Sequence, residues 1–225
     1  MASVDRSAGG ERRKGPPQPP AAHPRLFVSS PDHIAQLRAK TRTELMTPAW
    51  NAVLQQSAKQ TATEPVIRAK AFRHLLGDGR EYGAQAVALF DVFLAEFESR
   101  NTRAIGSVLL TGAMVYDWCY ELVDPSRRAA WQGRFLQLAR DMEIGYPPDK
   151  QGAISGHGAE DQVLRDQLAW AIAVYNEYPE IYETVAGTIF ARYVDVRNWF
   201  YPSGKHHRGD SYGPGTLNSD FAAAF

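Results

Sequence analysis

Apolar positions along this chain recur at helical spacing and are broken by glycine and proline at fairly regular intervals. Ser30-Pro31-Asp32 combines a capping side chain with a helix-opening proline and predicts a helix to about Thr41. Thr47-Pro48 repeats the signal for a helix to about Ala62, and Glu64-Pro65 starts a third that stops near Gly77-Asp78-Gly79. Over residues 82–98, Val87, Phe90, Leu94 and Phe97 share one face. Over residues 103–120, Ile105, Val108, Leu109, Val115, Tyr116 and Cys119 make a wider one. Gly112 inside that helix costs about 1 kcal/mol against alanine, so its place there predicts close packing against a neighbour. Asp124-Pro125 opens a further helix running toward Gly145-Tyr146-Pro147-Pro148, and residues 158–175 and 179–200 read as two more. Strand-type alternation of Val, Ile and Thr is almost absent. The expected fold is all-α, roughly eight helices joined by short connections.

Composition narrows the class. Hydrophobic residues make up 44% and charged residues 22% of the 225, as in a water-soluble globular protein. The formal net charge is zero, so nothing global draws the chain to nucleic acid or to an anionic membrane, and no apolar run reaches the roughly 20 residues of a membrane span. Cys119 is the single cysteine, which rules out an intrachain disulfide and a cysteine-based metal site. Residues 1–22 are rich in Pro, Gly and charge and read as a disordered leader without a signal-peptide core. Residues 23–225 form the expected folded unit. Ser219-Asp220-Phe221-Ala222-Ala223-Ala224-Phe225 looks like the opening of a helix that stops short, so a fragment of a longer enzyme is expected.

Candidate chemistry gathers in two glycine-flanked stretches. In Ser155-Gly156-His157-Gly158-Ala159-Glu160, the imidazole and carboxylate are three apart at a predicted helix start. That spacing fits a capping box as well as a functional pair, and Gly156 and Gly158 allow a ligand to approach the backbone. In the second stretch, Tyr212 sits within Gly209-Asp210-Ser211-Tyr212-Gly213, just after Lys205, His206, His207 and Arg208. A catalytic tyrosine needs its pKa lowered, most simply by a cation, and these residues supply one close by in sequence; a plain packing role for the ring is equally open. Lys205, His207 and Arg208 are the candidate contacts to an anionic substrate. In Tyr116-Asp117-Trp118-Cys119-Tyr120 the aromatics serve core packing or, through Trp118, a platform for a sugar face. No metal-ligand set is evident.

Four segments in order resemble the heparinase II/III-type polysaccharide lyases: His23-Pro24-Arg25-Leu26-Phe27, Tyr116-Asp117-Trp118, Gly156-His157-Gly158-Ala159-Glu160 and Gly209-Asp210-Ser211-Tyr212-Gly213. The resemblance implies an incomplete (α/α) toroid followed by antiparallel β-sheet domains, which carry a metal site in some members. It also implies a periplasmic or secreted location and an acidic polysaccharide, heparin-like or alginate-like, as partner. Carried onto matching positions, it makes Glu160 the acid that neutralises a uronate carboxylate, His157 its active-site neighbour and Tyr212 the catalytic tyrosine. No cofactor is implied for this segment. Two other readings stay open. One is a glycoside hydrolase using Glu160 or Asp161 with Asp210 across the bond, and the other is a non-catalytic carbohydrate-binding helical module.

Overall fold

The computed structural model describes residues 15–149 and 161–200, and every regular element among them is helical. The order is α1 (Pro31–Lys40), α2 (Thr47–Ser57), α3 (Glu64–Leu75), α4 (Arg80–Glu96), α5 (Thr102–Trp118) and α6 (Pro125–Asp141). A π-helical segment, Asp161–Gln167, then runs into α7 (Leu168–Ala173). It is followed by α8 (Pro179–Ile189), a second π-helical segment, Phe190–Val194, and α9 (Asp195–Phe200). Among the described residues no helix is long and apolar enough to cross a membrane.

The caps fall where the side chains place them. Ser30 Oγ accepts the His33 N–H, Asn101 Oδ1 accepts those of Arg103 and Ala104, and Asp124 Oδ1 accepts that of Arg127. Each satisfies donors that the first helical turn leaves open. Two ends differ from the sequence expectation. α2 stops at Ser57 instead of Ala62, because the Ser57 carbonyl is taken by the Lys70 ammonium (2.7 Å) and its hydroxyl turns back to Leu54 O. α6 stops at Asp141 because Met142 goes extended, which folds Met142 and Ile144 into the core.

α5 is the central element: eleven of its seventeen residues are buried. A helix apolar on nearly all sides must be surrounded, and its neighbours can be ordered from their cross-links. Arg68 bonds Ser107 and Thr111, and the Phe72 ring lies 5.9 Å from that of Trp118, so α3 runs parallel to α5. On the other side Asp166 lies against Gly106, and Arg25, tied to Asp117, donates to Ile172 O; the 161–173 helix is therefore parallel as well. Behind this layer, Lys70 meets Gln85 and His74 meets Gly83, which makes α4 antiparallel to α3. Phe135 against Gly112 and Met142 against Gly106 make α6 antiparallel to α5. Trp131 Nε1 donates to Asp91 (2.7 Å) and Arg134 to Phe97 O (2.8 Å), so α4 and α6 run together. The result is a front layer of parallel helices backed by a layer running the other way, built from successive αα-hairpins.

The core between the layers holds Phe90, Ile105, Leu109, Phe135 and Trp170, each fully buried and contributing roughly 1.5–3 kcal/mol. Gly112 has the expected close contact. A Cβ there would come within 2.4 Å of Phe135 and 2.7 Å of Phe90. Lys70, also in the interior, is held by two neutral acceptors, Ser57 O and Gln85 Oε1, and burial lowers its pKa, with Arg73 adding to the shift. Cys119 is completely buried at the end of α5.

Candidate functional site

Two ends of the parallel layer carry polar chemistry. At the N-terminal end, the π-helical segment begins at Asp161, the residue after Glu160. A wide helical turn brings positions five apart onto one face, and Gln162 and Gln167 are both buried. Gln162 Oε1 accepts from the Thr102 hydroxyl (2.9 Å) and the Ile144 N–H (2.9 Å), while Gln167 donates to Gly145 O (2.7 Å). Asp166 is buried against Gly106 and receives two bonds from the Arg165 guanidinium (2.6 and 3.1 Å). These contacts fix the start of this helix from behind.

Next to it lies an arginine held rigid on three sides. Arg68 donates from Nε to Thr111 Oγ1 (2.7 Å) and from Nη2 to Ser107 Oγ (2.8 Å) and Ser107 O (3.0 Å). Its partner carboxylate Glu64, 3.5 Å away, accepts from the Ser107 hydroxyl (2.9 Å). Burial lowers the Arg68 pKa, opposed first by Glu64. A guanidinium fixed in this way has already given up its rotamer entropy, which suits it to hold an anionic group.

At the opposite end, where α3, α5 and α7 finish, the segment after residue 20 is clasped onto the helices. The Asp117 carboxylate, fully buried, accepts from the backbone N–H groups of Arg25 (2.9 Å) and Leu26 (2.8 Å) and from His23 Nδ1 (2.6 Å). Arg25 Nη2 approaches His23 Nε2 at 2.7 Å. A guanidinium can only donate, so Nε2 accepts and the proton sits on Nδ1, facing Asp117. Trp118 Nε1 donates to Leu26 O (3.0 Å) and completes the clasp. The His23 ring stacks on Tyr120 at 3.8 Å; Arg128 covers the Tyr120 ring at 4.3 Å, and the Tyr120 hydroxyl donates to Glu177 (2.5 Å). Burial raises the Tyr120 phenol, with its bond to Glu177 second. Tyr116 lies beneath them. Burial, and then the charge of Glu177, pushes its phenol far above the usual range, and among the described residues its hydroxyl has no partner in good hydrogen-bonding geometry.

Outside the clasp opens a cleft of about 490 Å³ between the end of α3, the end of α5, the loop after α7 and the clasped segment. His74, Glu121 and Asn176 line it, together with Trp118.

His157, Glu160, Tyr212, Lys205, His207 and Arg208 lie outside the described residues. Trp118 sits at the clasp, half-buried, about 24 Å along α5 from Thr102, where the Asp161–Gln167 segment is held. Its N–H serves the clasp and its ring packs on Phe72. Sequence reasoning did not assign Asp117, His23, Arg68 or His74 a role. For Asp117 the signal was available: a carboxylate placed on the apolar face of a helix must find donors. Among the described residues no cluster of three or more His, Cys, Asp or Glu side chains could hold a metal ion. Compared with models of known families and with curated proteins, the chain matches none, so the reading of its function rests on its own residues.

Proposed function

We propose that this chain is the helical part of a lyase that cuts uronate-containing acidic polysaccharides by β-elimination. The observation that carries the reading is the clasp. His23-Pro24-Arg25-Leu26-Phe27 and Tyr116-Asp117-Trp118, two of the four segments behind the family resemblance, are far apart in sequence and meet through the Asp117 carboxylate. The layered αα-hairpins support the toroid part of the proposal, as an arc of parallel inner helices with their antiparallel partners outside. Arg68, rigid and beside the helix that follows Glu160, supports an anionic substrate. On this reading the enzyme works in the periplasm or outside the cell, where such polymers are met.

The chemistry would run as follows. The proton at C5 of a uronate is too weakly acidic to leave unaided, and protonating or hydrogen-bonding the carboxylate stabilises the enolate-like intermediate that forms. Glu160 takes that part as a proton donor. Tyr212 removes the C5 proton, returns a proton to the leaving glycosidic oxygen, or does both, and His157 orients the sugar or acts as base for one epimer. Elimination leaves a 4,5-unsaturated uronate at the new non-reducing end.

Incubating the protein with heparin and with alginate tests the reading. Products absorbing in the ultraviolet as conjugated unsaturated uronates are expected, with kcat/KM reduced at least 100-fold in both Tyr212→Phe and Glu160→Gln. Cleavage that yields only saturated ends, or a Tyr212→Phe form as active as the parent, would overturn it.

A further inference from the structure

We propose that the cleft beside the clasp binds a small hydroxyl-rich molecule carrying an ammonium group, of the amino-sugar class. Its volume, about 490 Å³, lies in the range of small-molecule sites and accommodates a sugar ring. The lining side chains have acceptors left to offer and few donors. Their donors are spent inside the protein. Trp118 Nε1 goes to Leu26 O, the Tyr120 hydroxyl to Glu177, His23 Nδ1 to Asp117, and His74 Nδ1 to Gly79 O. One Asn176 N–H goes to Ala21 O, which leaves the other as the one side-chain donor still open among the described lining residues.

Acceptors are plentiful. Because His74 Nδ1 faces a carbonyl, it carries the proton, and Nε2 keeps its lone pair. Among the described residues Asn176 Oδ1 has no hydrogen-bond partner, and Glu121 pairs with Arg80, at 3.4 Å. Arg80 is 70% exposed, so a ligand cation can take its place beside Glu121 at little cost. α3, α5 and α7 all end here; the Leu76 and Ile172 carbonyls are taken by Arg38 and Arg25, and the end of α5 keeps the partial negative charge of its last carbonyls. Among the described residues no Lys or Arg lines the cleft directly; Arg25 lies behind His23 and Ala21, and Arg80 reaches Glu121 from outside. Such a surface offers its acceptors, and the exposed Glu121 carboxylate, to hydroxyl and ammonium donors. The inference is independent of the lyase reading, because the site uses none of Glu160, His157 or Tyr212.

Calorimetric titration of the full chain with glucosamine, glucose and glucuronate tests it. Glucosamine is expected to bind about threefold more tightly than glucose, and glucuronate more weakly than either. Glu121→Gln, at an exposed position, should remove the advantage of glucosamine and leave glucose unchanged. Ala22→Trp, which fills the cleft from an exposed residue outside the clasp bonds, should abolish binding of both. The proposal is overturned if glucuronate binds as well as glucosamine, if Glu121→Gln leaves the glucosamine affinity intact, if Ala22→Trp still binds, or if none of the three sugars saturates.

Discussion

Tyr116 shows how much one side chain can cost when it is buried without a partner. Its hydroxyl is sealed beneath His23 and Tyr120 and, among the described residues, has no partner in good hydrogen-bonding geometry, while burial and the nearby Glu177 together raise its pKa. Removing the oxygen removes a poorly satisfied buried group and leaves a void smaller than a water molecule, so Tyr116→Phe should be neutral or stabilising near pH 7. The pH dependence has a definite sign. A group whose folded pKa is raised contributes stability that is present below its unfolded value, near 10, and is lost as pH climbs above that toward the folded value. The phenylalanine form has no such loss. Urea titrations from pH 8 to 11 should therefore show its stability relative to the parent increasing with pH, and a constant difference across that range would refute the assignment. The neighbouring Asp117 teaches the opposite lesson. It lies equally deep, but three N–H donors surround it, and that saturation makes its burial tolerable.

At the scale of elements, the periodic pattern located the helices well because burial here is one-sided or complete. Val87, Phe90 and Leu94 face inward as their spacing requires, and the proline-marked starts at Pro31, Pro48, Pro65 and Pro125 hold. What stayed illegible was the ends and the widened turns. The stop of α2 depends on Lys70, thirteen residues away, reaching its last carbonyl, a tertiary contact that no local signal carries. The π-helical Asp161–Gln167 depends on where Thr102, Ile144 and Gly145 place their partners for Gln162 and Gln167. The role of Gly112 was readable from propensity alone, and it gives a sharp test. In Gly112→Ala the new methyl would collide with Phe135 and Phe90, rings tilted against each other, with Phe90 also packed edge-on to Trp131. The gain in helix propensity is about 1 kcal/mol, and overpacking costs about 1–3 kcal/mol, so the net change should be destabilising. Thermal melting would register it as a lower Tm; a rise would mean the rings move aside freely.

For the molecule as a whole, stability is uneven. α1 buries no residue and α2 buries only Ser57, whereas α3 to α8 share one continuous core. Amide hydrogen exchange should accordingly find residues 31–57 opening at much lower free energy than α5, whose amides exchange only with global unfolding. Equal protection of the two regions would contradict this ordering. Of the candidate site, the sequence made the segments legible but not their meeting. The clasp joins residues over ninety positions apart, and the rigid setting of Arg68 arises from α3 and α5 lying side by side, which hydropathy alone does not foretell.

The lone thiol of this chain has a consequence for how the protein meets an oxidising environment. Cys119 is wholly enclosed, and burial pushes its pKa up to about 12, so almost none of it exists as the reactive thiolate at neutral pH. Peroxide, glutathione disulfide and alkylating dyes all require that anion and a path to it. The native fold withholds both, so sulfur chemistry begins only once the chain has come apart, and modification of Cys119 becomes a chemical record of unfolding.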